Sequence, residues 1–165
     1  MAGNGMNRRA FVGSMAAAAA VGAAWLARGG PAAASERFEV TRSPQEWRRM
    51  LSPRAYAVLR EAHTERAGSS ALNAEHRRGV FACAGCALPL YASSAKFESG
   101  TGWPSFTAPL ANAVRTRADK VLLFTRTEVH CRRCGGHLGH VFDDGPRPTG
   151  KRYCMNGAAM KFVPA

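Results

Sequence analysis

From Arg77 to the C-terminus, short apolar runs alternate with glycine- and proline-rich punctuation, the pattern of β-strands joined by tight turns. Gly79-Val80-Phe81-Ala82 and Leu88-Pro89-Leu90-Tyr91 are the first two runs, and Lys120 to Val129 is the longest. His137 to Phe142 and Lys161 to Val163 complete the set, with Asp143-Asp144-Gly145-Pro146 as turn material between them. Upstream the texture is helical. Ser43-Pro44-Gln45-Glu46 supplies an N-cap serine, a proline at the first helical position and a glutamate three residues on, which together make a capping box. Ser52-Pro53 repeats the start signal without the glutamate. Tyr56, Leu59 and His63, widened by Ala55, Val58 and Ala62, give a second helix one apolar face. These patterns predict a mainly β, antiparallel domain with two short helices at one end, lying outside the core as a lid or clasp.

The segment before the helices reads differently. Asn7-Arg8-Arg9-Ala10-Phe11-Val12 is followed by an alanine-rich apolar run to Leu26, then Arg28, Gly29, Gly30, Pro31 and Ala32-Ala33-Ala34. This is the form of a twin-arginine export signal with cleavage after Ala34. A retained anchor is the alternative, but 16 residues from Phe11 to Leu26 fall short of the roughly 20 strongly apolar ones a spanning helix needs. Two parts are therefore expected: a signal at 1–34 and a domain at 35–165, the latter periplasmic or otherwise exported and with no stable membrane insertion after cleavage. That route carries folded proteins, so a metal site would assemble in the reducing cytoplasm before export.

The formal charge of +12 includes Arg8, Arg9 and Arg28, so residues 35–165 carry +9. Such a balance allows nucleic-acid binding, but the basic residues are scattered and no recognition-helix signature accompanies them. A solvated basic surface is the expectation, with no nucleic-acid partner and a monomeric chain.

Five cysteines sharpen the picture. Cys83/Cys86 and Cys131/Cys134 form two Cys-x-x-Cys knuckles with 44 residues between them. Four thiolates fill a tetrahedral zinc ion and leave no open position, so such a site is structural. The alternative is two disulfides, each strained within its short loop and suited to redox exchange more than to stapling. Cys154 is left over in either case. It is a partner for another chain or a reactive thiol, and its polar, basic neighbours favour the reactive thiol. In an extended strand Arg152, Cys154 and Asn156 share one face, and an arginine beside a cysteine favours the nucleophilic thiolate. Gly102-Trp103-Pro104 fixes a tryptophan in a loop, and His137 and His140 stand three apart. Each also has a plain structural reading: a core tryptophan, two surface histidines, an arginine paired with a distant carboxylate.

Taken together, these blocks resemble the type B methionine sulfoxide reductases, the peptide-methionine (R)-S-oxide reductases. The likeness runs from about Ser43 to the C-terminus. It is carried by the two knuckles, Lys96 to Phe106 (KFESGTGWPSF), Arg126-Thr127-Glu128-Val129, His137-Leu138-Gly139-His140-Val141-Phe142, Asp144-Gly145-Pro146 and Arg152-Tyr153-Cys154-Met155-Asn156. The resemblance implies two antiparallel sheets in a tent-like arrangement, with structural zinc on Cys83, Cys86, Cys131 and Cys134 away from the active site. It implies a catalytic Cys154, a site lined by His137, His140 and Asn156, and a thiolate favoured by Arg152. Trp103 and Phe142 would bind substrate, Trp103 walling an apolar pocket for the sulfoxide's methyl group. The implied substrates are oxidised proteins or peptides, and the implied reductant is thioredoxin-like or another thiol.

Two positions depart from the family pattern. Many relatives place at Thr101 a cysteine that resolves the sulfenic acid formed on the catalytic sulfur, so an external thiol is expected to do so here. Gly157 replaces a serine common after the asparagine.

Overall fold

The computed structural model describes residues 36–121 and 124–165, so the signal expected over 1–34 lies outside them. Two helices open the described chain, α1 (Pro44–Met50) and α2 (Pro53–Glu61). Both start where their caps predict. Ser43 Oγ accepts the Glu46 N–H at 3.3 Å while Glu46 Oε2 accepts the Ser43 N–H at 2.7 Å, closing the capping box. Ser52 caps α2 alone, and α2 stops at Ala62, whose left-handed backbone (φ 55°) turns the chain away. His63 therefore lies beyond the helix and is exposed, contrary to its expected place on the apolar face.

The strands are β1 (Gly79–Cys83), β2 (Pro89–Ala92), β3 (Lys96–Phe97), β4 (Ser105–Phe106), β5 (Val114–Val121), β6 (Phe124–Cys131), β7 (His137–Phe142), β8 (Arg152–Met155) and β9 (Met160–Pro164). They form two antiparallel sheets, ordered β2-β1-β9 and β3-β4-β8-β7-β6-β5. Lys120 to Val129, expected as one strand, is divided between the end of β5 and the body of β6, which pair with each other. The first half of that hairpin escaped the pattern because Arg115 to Lys120 is largely exposed and carries no apolar alternation.

The core lies where the sheets face one another. Phe81, Leu90, Tyr91, Phe106, Val129, Leu138 and Met155 are fully buried. Phe106 stacks on Tyr91 at 4.3 Å between centroids and meets Phe81 edge-on at 4.9 Å, favoured aromatic geometries. The Tyr91 hydroxyl donates to Met155 Sδ at 3.1 Å, so even this buried polar tip is satisfied. The helices belong to this core, which corrects the expectation of a lid. Trp47, Val58 and Leu59 are buried, and they press on the cysteine knuckles: a Cβ at Gly85 would lie 3.4 Å from the Trp47 ring, and one at Gly136 2.8 Å from Leu59. Arg60 of α2 donates to the Cys134 carbonyl at 3.0 Å. What the helices enclose is the cysteine end of the domain.

Candidate active site and metal centre

Each knuckle is the turn at a strand end, β1 running into Cys83 and β6 into Cys131, and the two meet although 44 residues separate them in sequence. The sulfurs contact across the knuckles. Cys83 Sγ lies 3.7 Å from Cys134 Sγ, and Cys86 Sγ 3.5 Å from Cys131 Sγ; all four lie within 4.8 Å of one another. Zn–S bonds of about 2.3 Å at tetrahedral angles put sulfurs roughly 3.8 Å apart, whereas a disulfide needs about 2 Å. The observed spacing fits a metal quartet and leaves all five cysteines free of disulfides. Three of these four cysteines are buried and Cys86 is half-buried.

Cys154 is separate from that cluster. Its strand, β8, is paired on one side with β4 (Ser105↔Cys154) and on the other with β7 (His140↔Cys154). Gly139 permits the close approach of β7, since a Cβ there would lie 2.1 Å from the Cys154 carbonyl oxygen. The half-buried thiol opens into a cavity of about 140 Å³ lined by Thr64, Trp103, Arg126, Gly139, His140, Phe142, Cys154 and Asn156. Apolar rings, one thiol, one imidazole and one guanidinium thus converge on a space the size of a small side-chain tip.

Polar contacts fix those walls. Trp103 Nε1 donates to the Glu65 carbonyl at 3.0 Å, and the Glu65 N–H donates to Asn156 Oδ1 at 2.9 Å. Asn156 Nδ2 donates to the Leu138 carbonyl at 3.1 Å. His140 Nε2 meets Asp119 Oδ2 at 2.8 Å, and His137 Nδ1 meets Glu128 Oε1 at 2.8 Å. Burial holds the His140 imidazole below its ordinary pKa despite the opposing Asp119 hydrogen bond, while Asp119 is lowered, first by the hydrogen bond from His140. Burial raises Glu128, yet hydrogen bonds from His137 and Arg117 outweigh it and hold that carboxyl at about 2.

A family model described as the SelR domain matches residues 51–164. The chain belongs to the MsrB family of peptide methionine sulfoxide reductases. It is 54% identical over 127 residues to the peptide methionine sulfoxide reductase MsrB of Bradyrhizobium diazoefficiens, covering 76% of this chain and 91% of that protein. Against the MsrB of Leptospira interrogans the identity is 47% over 126 residues, covering 76% and 96%. Against the chloroplastic peptide methionine sulfoxide reductase B1 of Arabidopsis thaliana it is 51% over 121 residues, covering 73% of this chain and 60% of that one. The protein is accordingly an oxidoreductase that reduces methionine sulfoxide in peptides.

Within this MsrB fold the expected site residues separate into three groups. Cys154, His140, Asn156, Trp103 and Phe142 share the cavity. His137 lies behind, in an adjoining cleft of about 290 Å³ that shares His140 and Arg126 with the cavity, its ring centroid 5.3 Å from that of His140. Its Nε2 is buried and unpartnered. Arg152 does not line the cavity. It makes a two-pronged pair with Asp144 (2.8 and 2.7 Å) and lies 4.4 Å over the Phe142 ring, so it has a carboxylate partner while keeping Cys154 as a neighbour. Its pKa is raised, first by the Asp144 hydrogen bond and, further down, by Cys154. The expectation that residues 152, 154 and 156 share one pocket is met by the last two only; β8 ends at Met155, so strand alternation does not extend to Asn156.

Sequence reasoning missed Glu65. Its side chain is 1% exposed, and its carboxylate accepts the N–H groups of Gly157 at 2.5 Å and Ala158 at 3.1 Å, while its backbone holds Trp103 and Asn156. One residue thus ties both sides of the cavity. The family departure at Gly157 has a local explanation, for a Cβ there would lie 1.9 Å from Ser70 Oγ. In this chain Ser70 fills the space a side chain at 157 would need.

Proposed function

We propose that the protein reduces the R epimer of methionine sulfoxide through Cys154, with a structural zinc ion on Cys83, Cys86, Cys131 and Cys134. When bound, the ion supplies a cross-link between β1 and β6 and no chemistry at the reaction cavity. The observation that carries the reading is that Cys154 is the one cysteine outside the quartet and opens into the cavity walled by Trp103, Phe142 and His140.

The Cys154 thiolate attacks the sulfoxide sulfur while negative charge grows on oxygen, and a proton donor there lowers the barrier. His140 is the imidazole in reach of the cavity and supplies that proton. The oxygen passes to Cys154, leaving methionine and a cysteine sulfenic acid. Trp103 and Phe142 receive the substrate's apolar end, and Asn156, whose carboxamide is occupied by backbone groups, keeps the wall in place.

Regeneration follows from the neighbour of the thiol. Thr101 Oγ1 lies 3.8 Å from Cys154 Sγ at the end of a hydroxyl chain through Ser99 (2.8 Å) to Ser105 (2.7 Å). A hydroxyl cannot form a disulfide, and the other sulfurs face one another in the quartet. An external thiol therefore attacks the sulfenic sulfur, releasing water and forming a mixed disulfide that a second thiol opens, itself oxidised to a disulfide as Cys154 is returned. A thioredoxin-like dithiol supplies both.

Export of the domain after cleavage at Ala34 belongs to the same reading, on the strength of Arg8-Arg9 and the apolar run behind them. Among the described residues no helix is long and apolar enough to cross a membrane. Separate turnover of R and S sulfoxide peptides with a dithiol tests the reaction: the R peptide alone should be consumed, and Cys154→Ser should leave no turnover while keeping its metal. Consumption of the S peptide, or activity in the variant, would contradict it.

A further inference from the structure

Along one face of the β5–β6–β7 ladder the same three-part unit occurs three times. Glu36 takes Arg115 (2.7 Å) and His130 (2.9 Å); Glu128 takes Arg117 (3.2 Å) and His137 (2.8 Å); Asp119 takes Arg126 (2.9 Å) and His140 (2.8 Å). The strand register sets the cross-strand pairs, and Glu36 joins the first of them from the segment before α1. Residues 115, 117 and 119 of β5 step by two along one face, and their directly paired residues on β6 are 130, 128 and 126. Each carboxylate is therefore held by an arginine and in turn holds an imidazole. Only the third unit reaches the reaction cavity, where Arg126 and His140 are both lining residues.

We propose that Asp119 is a positioning residue of the reaction, fixing the His140 proton on Nε2 so that Nδ1 is the nitrogen that takes up and delivers the proton. This rests on the reading of His140 as the donor. An ionised carboxylate 2.8 Å from a ring nitrogen requires a hydrogen on that nitrogen. The neutral ring then keeps its lone pair at Nδ1, and protonation there gives an imidazolium facing a fixed negative charge, the logic by which a buried aspartate serves a catalytic histidine elsewhere. Arg126 in turn anchors Asp119 from β6.

The sign of the pH effect follows from the groups around His140. Asp119 on β5 raises its proton affinity; burial, Arg126 on β6 and His137 on β7 lower it. Arg117, Lys120 and Glu128 line the cleft alongside it, and Cys154 stands beside it, its direct partner on β8. Replacing Asp119 by asparagine keeps an oxygen for the Nε2–H but removes the negative charge by which Asp119 raises the ring's proton affinity. The imidazolium then survives only at lower pH.

The test compares wild type, Asp119→Asn and Asp119→Glu as metal-loaded protein. The His140 imidazole is titrated by NMR, and kcat/KM for an R sulfoxide peptide is followed against pH. In Asp119→Asn the His140 midpoint should fall by about one pH unit, and the alkaline decline of kcat/KM should move down with it, giving about a tenfold loss at pH 8 and little loss in acid. Asp119→Glu should recover most of the profile. An unmoved His140 midpoint, a rate loss equal at every pH, or a moved midpoint with an unmoved rate profile would each overturn the proposal. Failure of the wild type to reduce the R sulfoxide would instead overturn the reductase mechanism, while the NMR titration would still decide whether Asp119 governs His140.

Discussion

Glu65 and Cys154 illustrate how differently single residues declare themselves. Cys154 stands out by arithmetic, as the fifth cysteine after two spaced pairs, and His137, His140 and Trp103 are legible in short blocks. Glu65 has no such signature, because its hydrogen-bond partners lie 38 to 93 positions away and two of those contacts use only its backbone. Glu65→Gln keeps those backbone contacts but leaves the Gly157 and Ala158 N–H groups with one good acceptor in place of two. A buried donor left unsatisfied costs about 1–3 kcal/mol. We expect a loss of that size in chemical denaturation, together with a raised KM as the segment whose backbone holds Trp103 and Asn156 loses its carboxylate anchor. An unchanged stability and KM would show that the carboxylate is incidental. Arg152 answers to two partners: the turn bearing Asp144 holds its guanidinium over the Phe142 ring, and Cys154 remains close enough to raise its pKa.

At the level of elements, local codes were readable and long-range ones were not. The capping box of α1 is written within four residues and formed as written. The burial of both helices was not, since a helix with arginines on one flank and Trp47 on the other looks like a surface clasp until Gly85 and Gly136 receive it. Strand β5 was hidden because its function is electrostatic: Arg115, Arg117 and Asp119 complete the carboxylate units instead of filling a core. That ladder predicts acid sensitivity. Glu128 is held at about 2 in the folded state against 4.5 ordinarily, so its contribution is fully present above about pH 4.5 and is lost as pH falls toward 2. With solvent screening on the Arg117 side, the shift corresponds to a contribution on the order of 1–3 kcal/mol. Glu128→Gln should flatten the fall of stability between pH 4.5 and 2, measured by denaturant midpoint; a wild-type stability constant over that window would contradict the assignment.

Across the whole molecule the cysteines are divided between two sites of one fold, a quartet where β1 and β6 end under the helices and a single thiol on β8 beside the imidazole. The mainly β class, the quartet and the cavity thiol were all legible in the residues, because metal spacing and strand punctuation are short-range codes; the packing of helices on knuckles was not, because it depends on shape. Removing the metal with a chelator should lower Tm by roughly 10 °C or more, because the quartet closes a long loop and its binding energy is folding energy. An unchanged Tm would remove the structural role. The most direct measurement is a single turnover: metal-loaded enzyme mixed with excess R sulfoxide peptide and no thiol, followed by intact and peptide mass spectrometry. One methionine per enzyme and a gain of one oxygen atom on Cys154, with the quartet unmodified, is the predicted outcome; loss of two hydrogens through an internal disulfide at Cys154 would contradict it.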